Sequence, residues 1–379
     1  MDSGCFLFSF RVYFFKIFAI YLFAIHFLKI LFLYTEIAAY LTSSVKYFLQ
    51  KNPEAEVHIV RFPVNKEAPF VFDQTHNLFL YQRDEFTSME LIDFAKSLQP
   101  DIVLCSGWVD KSYLKICRYF HNTVPCILIL DNHWSGNWKQ WILRIFSRFT
   151  LHRMFTEVWV PGLPQKEYAL KLGFKEKKIQ IGFYCADTTL YSKYYHKLKQ
   201  TQTLNSNFLV VARYIPAKGL ENLWNAFAEL KDKGELKEWE LYCVGAGQDF
   251  ETRKIHPAIH HVGFKQPHEI GEIIEKTNVF VLPSLFEPWG VVVHEYAAAG
   301  YPMLLSKNVG AASAFLIPNE NGYIFDPLSK ESIQEGLKKM TLLNSEKINE
   351  MGQKSILLSE TISPEKWAQT LNNFVLKSK

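Results

Sequence analysis

The sequence predicts an α/β protein made of two doubly wound lobes in tandem, with a cleft between them. Three observations carry this. From residue 29 onward, short apolar runs alternate with stretches of helical period, the pattern of parallel strands joined by helices. The alternation lapses over residues 185–207, a polar segment rich in lysine and tyrosine, and resumes at residue 208. Several strand-like runs end in glycine or a polar loop, where open α/β sheets hold ligands.

The first half supports the scheme element by element. KILFLY (29–34) reads as a strand, and Ile37, Leu41, Val45 and Phe48 follow at near-helical spacing. VHIVRF (57–62) is a second strand, and the polar, turn-rich residues 63–86 are a long connection. Residues 89–98 form a helix, 101–107 a strand ending in glycine, 111–122 a helix and 126–133 a strand. Residues 134–154, rich in Trp, Arg and Lys, read as one helix. EVWVPG (157–162) is a strand, a helix runs to Leu172, and 178–184 closes the lobe.

In the second half, FLVVARY (208–214) is a strand, and Leu220, Leu223, Trp224, Phe227 and Leu230 share one helical stripe. Strands follow at 240–247, 259–264, 279–282, 302–306 and 322–327. Helices occupy 268–277, 291–299, 330–343 and 364–375.

Composition excludes several functions. With 379 residues the chain is long enough for roughly two or three domains. Its hydrophobic content of 48% and charged content of 21% are those of a globular protein. A net charge of +4, with no basic run interleaved with aromatics, argues against a nucleic-acid partner. Cys5, Cys105, Cys117, Cys126, Cys185 and Cys243 have neither CxxC nor His-paired spacing. That leaves no metal set and no disulfide framework, and points to reduced thiols in a cytoplasmic setting.

Residues 1–27 stand apart as an apolar extension interrupted by Arg11, Lys16 and His26. No small-residue cleavage site follows. Three readings remain: a start assigned too early, with translation beginning near Leu28; an interfacial helix on the inner membrane face; or a membrane span. The span is the poorest of these, because the following strand belongs at the centre of a sheet and leaves no linker to clear a bilayer.

The chemistry concentrates in residues 279–302, VFVLPSLFEPWGVVVHEYAAAGYP: a buried strand, a polar loop, a short helix and a stop at Gly300. Glu287 and Glu295 have seven residues between them. Around the same rim fall Arg213 and Lys218, Gly245 and Gly247, Phe264 and Lys265, and Ser284, with Gly290 at the helix start. Two cations, two carboxylates, close-approach glycines and a helix N-terminus are what a nucleoside diphosphate sugar needs. Singly, each has a plainer reading: Glu287 as an exposed loop residue, Glu295 as an acid in an early helix turn, Arg213 as a surface ion pair, the glycines as turn formers.

Arg213 with Lys218, the VGAG turn and PSLFEPWGVVVHEYAAAGYP with its E-x7-E resemble the retaining glycosyltransferases of family 4, with the GT-B fold of two Rossmann-like lobes. The resemblance is strong over 208–343; over 29–184 it rests on the alternation and on PGLPQKEYALKLG. It implies an N-terminal acceptor lobe (28–184), a linker (185–207), a donor lobe (208–345) and C-terminal helices (346–379) crossing back, with Trp367 and Phe374 packing on the first lobe. It implies that Arg213 and Lys218 hold the diphosphate, Glu295 the ribose and Glu287 the sugar. The backbone of Trp289, Gly290, Val291 and Val292 would meet sugar and phosphate. The co-substrate is then a nucleotide sugar, with no separate cofactor and no metal, and the acceptor a saccharide or lipid-linked hydroxyl. The setting would be surface polysaccharide assembly at the cytoplasmic membrane.

The first lobe departs from the family. The loop after its first strand, YTEIAAYL, has no glycine; Ala312, Ser313 and Ala314 stand where a glutamate is usual. His133 is the candidate first-lobe contact to the donor sugar, with Asp131 as its rival. Two other readings stay open: a nucleotide-sugar 2-epimerase of the same fold, and a non-catalytic relative that binds a partner or membrane. The basic stripe Lys139, Arg144, Arg148 and Arg153 reads as a solvated helix face or as a contact to anionic lipid.

Overall fold

The computed structural model describes residues 27–65, 69–72, 75–201 and 207–376. The apolar extension, apart from exposed Phe27, lies outside these residues. Two all-parallel sheets organise the chain. The first contains β1 (Leu28–Tyr34), β2 (Ala55–Arg61), β3 (Leu78–Gln82), β4 (Ile102–Ser106), β5 (Cys126–Ile129), β6 (Glu157–Val160) and β7 (Ile179–Ile181), in the order β3-β2-β1-β4-β5-β6-β7. Its crossovers carry α1 (Ala39–Lys51), α2 (Ser88–Leu98), α3 (Lys111–Phe120), α4 (Trp138–Phe146) and α5 (Leu163–Lys171). Helix α6 (Thr188–Thr201) leads into the second lobe.

The second sheet contains β8 (Phe208–Val211), β9 (Leu241–Val244), β10 (Ile259–Gly263), β11 (Val279–Leu282), β12 (Met303–Ser306) and β13 (Gly322–Phe325), in the order β10-β9-β8-β11-β12-β13. Its helices are α7 (Leu220–Asp232), α8 (Gly271–Ile274), α9 (Val291–Ala298), α10 (Ala312–Phe315) and α11 (Lys330–Thr341). The chain ends with α12 (Ser345–Ser359) and α13 (Pro364–Leu376).

Each sheet reverses its strand order once, between β1 and β4 and between β8 and β11. At such a switch point the connections leave in opposite directions and open a crevice at the strands' carboxyl ends. The strands beside each reversal are continuous apolar runs because helices cover both faces. In β1, Ile30 to Leu33 are fully buried, with Ile30 opposite Val57 and Ile102; β11 is buried along its whole length.

Helix α13 returns to the first lobe. Trp367 stacks on Phe32 of β1 and packs against Trp159 of β6, and its indole N–H donates to the Phe183 carbonyl at 2.8 Å. Phe374 meets Trp159 edge-on. One cluster of buried side chains thereby runs through both lobes.

Three segments differ from the sequence reading. Residues 63–86, expected as connection, contain β3, an edge strand whose side chains are half exposed, so no apolar run marks it. Residues 134–154, expected as one helix, are a loop, then α4, then two 3-10 turns; the Asn137 carboxamide accepts from the Gln140 N–H and starts the helix there. The linker segment 185–207 is helical over Thr188–Thr201, and Tyr191 is buried with its ring 5.8 Å from that of Tyr296. The five described cysteines are free and buried. Among the described residues no helix is long and apolar enough to cross a membrane.

Candidate active site

A cleft between the lobes holds a cavity of about 430 Å3, lined by residues at and beyond the carboxyl ends of strands from both sheets. Tyr34 ends β1, Thr35 and Glu36 follow it, and Asp131 follows β5. From the other side come Arg213 after β8, Gly245 after β9, Phe264 and Lys265 after β10, and the loop after β11. Its size suits a nucleotide-sized ligand.

The β11 loop is held in place by short-range hydrogen bonds. The Ser306 hydroxyl donates to the Ser284 carbonyl at 2.6 Å, and the Asn308 carboxamide to Leu285 O at 2.9 Å. The Leu285 and Phe286 N–H groups both donate to Ala217 O, at 2.9 and 3.1 Å. Ala217 belongs to the turn that carries Lys218, so the two loops share a backbone junction. There the Lys218 ammonium donates to the Glu287 carboxylate, and both side chains are largely buried. The Ser284 hydroxyl reaches the same carboxylate oxygen at 3.4 Å.

Gly290 then starts α9 with φ +95°, a left-handed conformation that glycine adopts without strain. A Cβ there would press on the Glu287 side chain. The backbone of Gly290, Val291 and Val292 lines the cavity, and the first-turn N–H groups of a helix have no intrahelical partners. Glu295 sits one turn further on the same face, three and four residues from Val292 and Val291. Burial pushes its carboxyl up to about 7, against a hydrogen bond from the Tyr191 hydroxyl that favours the charged form; the Asp187 charge adds to the rise. The neighbouring His294 is fully buried and behaves oppositely: desolvation lowers it to about 4. Its Nδ1 accepts from the Ala186 N–H at 3.1 Å and its Nε2 donates to Ser359 O at 2.9 Å, which fixes a neutral tautomer.

The first-lobe wall is aromatic and acidic. The Tyr34 and Tyr40 hydroxyls lie 3.4 Å apart, Tyr40 packs edge-on against Tyr184, and the Tyr184 hydroxyl donates to Asp131 Oδ2 at 3.1 Å. Burial raises the Asp131 carboxyl, while the Tyr184 hydrogen bond pulls it back. The three phenols are pushed up by desolvation and stay protonated donors.

The lobes touch around this cavity. The carboxamide of buried Gln165 donates to two carbonyls: Asp131 O at 3.1 Å in its own lobe and Pro288 O at 2.5 Å in the other. The Trp289 ring lies against Gly162, where a Cβ would overlap it. Gln165 Oε1 and the Trp289 indole nitrogen are buried without a partner. At the rim, Phe70 meets Phe264 edge-on, and the Gln266 carboxamide donates to Pro69 O.

Most of the sequence candidates meet in one place: Glu287, Lys218, Arg213, Glu295, Trp289, Gly290, Val291, Val292, Gly245, Phe264 and Lys265 all line the cavity. Three do not. Ser284 is buried behind Glu287. Gly247 packs against the Tyr214 backbone. His133, the first-lobe candidate, has its ring 5.7 Å from that of Phe286 while Asp131, its rival, lines the cavity. His133 is half-buried, and its carbonyl accepts from the Gln140 carboxamide of α4. The tyrosine wall was missed; its signal was that Tyr34 and Tyr184 follow the first and last strands of the lobe.

Residues 197–357 match the family described as glycosyl transferases group 1. A protein of Escherichia coli (strain K12) named as a colanic acid biosynthesis glycosyltransferase, WcaL, is 22% identical over 245 residues, 62% of this chain and 57% of its own. Sucrose-phosphate synthase 1 of Arabidopsis thaliana is 33% identical over 153 residues, 35% of this chain and 15% of its own. The chain spans about half the length of the first curated relatives it matches. Among solved structures, Anabaena HepE in complex with UDP and glucose superimposes with a TM-score of 0.69 at 15% identity, covering 92% of this chain and all of that one. The sucrose-phosphate synthase of Thermosynechococcus elongatus gives 0.68 at 14% identity over 92% of this chain and 98% of that one. At these identities the likeness is one of fold, the two-lobed GT-B architecture.

Proposed function

Because residues 197–357 carry a glycosyl transferases group 1 region, we propose that the whole chain is a glycosyltransferase that moves a sugar from a nucleotide sugar to a hydroxyl acceptor, a glycan or a lipid-linked saccharide. The reading rests on one observation above all: Arg213, Lys218, Glu287, Glu295 and the α9 N-terminus surround a single cavity at the switch points of both sheets.

In this reading Arg213, Lys218 and the α9 N–H groups hold the diphosphate. Glu295 accepts from the ribose hydroxyls and Glu287 from the sugar. As the bond from the sugar's anomeric carbon to the phosphate oxygen breaks, negative charge grows on the leaving diphosphate. The fixed cations stabilise that charge more than the ground state, which lowers the barrier. The acceptor hydroxyl enters from the first-lobe side, past Asp131 and the tyrosine wall. Its proton passes to the departing phosphate oxygen on the same face, and configuration is retained. The positive field comes from side chains and backbone, without a metal.

UDP-glucose is the first donor to try, because HepE is solved with UDP and with UDP-glucose. A ligand at a hundred times its dissociation constant stabilises the fold by about 2.7 kcal/mol. In a panel of nucleotide sugars at least one raises Tm, and Arg213→Ala removes the rise. A panel that leaves Tm unmoved for every donor overturns the reading.

A further inference from the structure

Residues 132–156 contain four fixed cations, Lys139, Arg144, Arg148 and Arg153, and no Asp or Glu. Within them α4 buries none of its side chains. Helical period sets Trp138, Trp141, Ile142, Ile145 and Phe146 on one face, and all of them are exposed, Trp138 by 68% and Ile145 by 65%. Phe149, in the next turn, is 66% exposed. Leu143, on the opposite side, packs against the first-lobe core. A surface helix normally turns its apolar face inward; α4 turns it outward. Elsewhere among the described residues, exposed large hydrophobics are scattered and need no partner.

The cations flank this face. Arg144 lies over the Trp141 ring at 4.9 Å, and Lys139 reaches the Trp138 ring at 5.7 Å. Trp134 meets Trp141 edge-on and is itself covered by Lys171. Tryptophan rings between an apolar stripe and a cationic rim are the composition that seats a helix in the headgroup region of a bilayer.

We propose that the outward face of α4, continued by Phe149, docks the protein on an anionic lipid bilayer. Charge decides between lipid and protein as the occupant: a segment with four cations and no carboxylate meets a uniformly anionic plane without register, and each cation near such a surface strengthens the attraction. The face also joins the cavity directly. The Gln140 carboxamide donates to His133 O at 2.9 Å and accepts from the N–H groups of Ser135 and Gly136 at 2.8 and 3.0 Å. It thereby ties α4 to the loop after β5, in which Asp131 lines the cavity. A docked α4 holds the first-lobe wall near the lipid surface, where a lipid-linked hydroxyl arrives. This last step rests on the transferase reading; the docking itself does not.

The test uses the full chain and flotation with phosphatidylglycerol–phosphatidylethanolamine vesicles, with phosphatidylcholine vesicles for comparison. The protein floats with the anionic vesicles and less so as salt rises. Arg144→Glu with Arg148→Glu lowers the partition by about ten-fold or more. In vesicles with brominated acyl chains, Trp138→Phe with Trp141→Phe removes part of the tryptophan quenching while leaving flotation intact. Undiminished partition of the charge-reversed protein, which anchoring by residues 1–26 alone would give, overturns the proposal; so does equal quenching in the Trp138→Phe, Trp141→Phe protein. Tm shifts with UDP-glucose, measured without vesicles, test the transferase reading separately, since α4 lies outside the cavity.

Discussion

Lys218 and Glu287 neutralise each other at the cavity wall, held in register by the two hydrogen bonds that Ala217 O accepts from Leu285 and Phe286. A nucleotide sugar entering the cavity meets a site whose cation and carboxylate are already engaged. On the transferase reading, the lysine would turn to the diphosphate and the carboxylate to sugar hydroxyls, so binding would exchange one ion pair for two sets of ligand contacts.

Removing one partner leaves the other charge poorly solvated. Lys218→Met and Glu287→Gln each lower stability by about 1–3 kcal/mol, below the cost of breaking a fully buried pair because both groups keep some solvent access. The double variant recovers most of that loss without recovering UDP-glucose binding. Urea unfolding of the four proteins checks this; strictly additive losses contradict it.

On the transferase reading, Glu295 would make donor binding pH-dependent. Its folded pKa, about 7, lies above the ordinary 4.5, so the folded protein binds the extra proton between those values. Stability from this group is full below about pH 4.5 and is lost as pH rises to 7. Glu295→Gln therefore gains on the wild type with rising pH, by roughly 1–3 kcal/mol at pH 8. Affinity for UDP-glucose falls below pH 7 in the wild type and changes little in the variant. Unfolding and calorimetric titration at pH 5 and pH 8 supply both comparisons.

His294 has the opposite sign. Its pKa is lowered from 6.5 to about 4, so its contribution is present above pH 6.5 and is lost as pH falls through 4. His294→Leu strands the Ala186 N–H and the Ser359 carbonyl and costs about 2–4 kcal/mol at pH 7.5. That deficit narrows at pH 4.5, because only the wild type is weakened by acid at this position. Denaturation curves at the two pH values decide it, and a constant deficit contradicts it.

Asp131 and His133 separate cleanly. Asp131→Asn lowers kcat by about 100-fold if its charge serves the reaction, whereas His133→Ala stays within a few-fold of the wild type. Steady-state kinetics with the identified donor test the pair, and a reversed order restores His133 as the first-lobe contact.

The second-lobe site was legible because its residues are close in sequence. Glu287, Gly290 and Glu295 occupy one loop and one helix, and spacing alone puts them together. Arg213 and Lys218 follow the strand beside β11, where the switch-point rule looks. The first-lobe wall was not legible, since Tyr34, Tyr40, Asp131 and Tyr184 come from three distant strand ends and no local spacing links them. His133 was chosen by residue type, and the structure places Asp131, two residues earlier, in the cavity lining instead. Among the elements, β3 escaped because an edge strand has no apolar run, and α6 because its sequence is mostly polar, with buried Tyr191 and half-buried Leu190 and Tyr194 among the side chains that dock it.

Gln165 and Trp289 join the two lobes, and each keeps one buried polar atom without a partner. When the lobes part, Gln165 gives up its bond to Pro288 O, and Trp289 leaves the notch at Gly162. Each also exposes an atom that has no partner in the closed form, Gln165 Oε1 and the indole nitrogen, and water satisfies both at once. That hydration lowers the free-energy cost of parting the lobes below what the buried contacts alone imply. On the transferase reading, this would ease the parting of the lobes that lets the diphosphate leave.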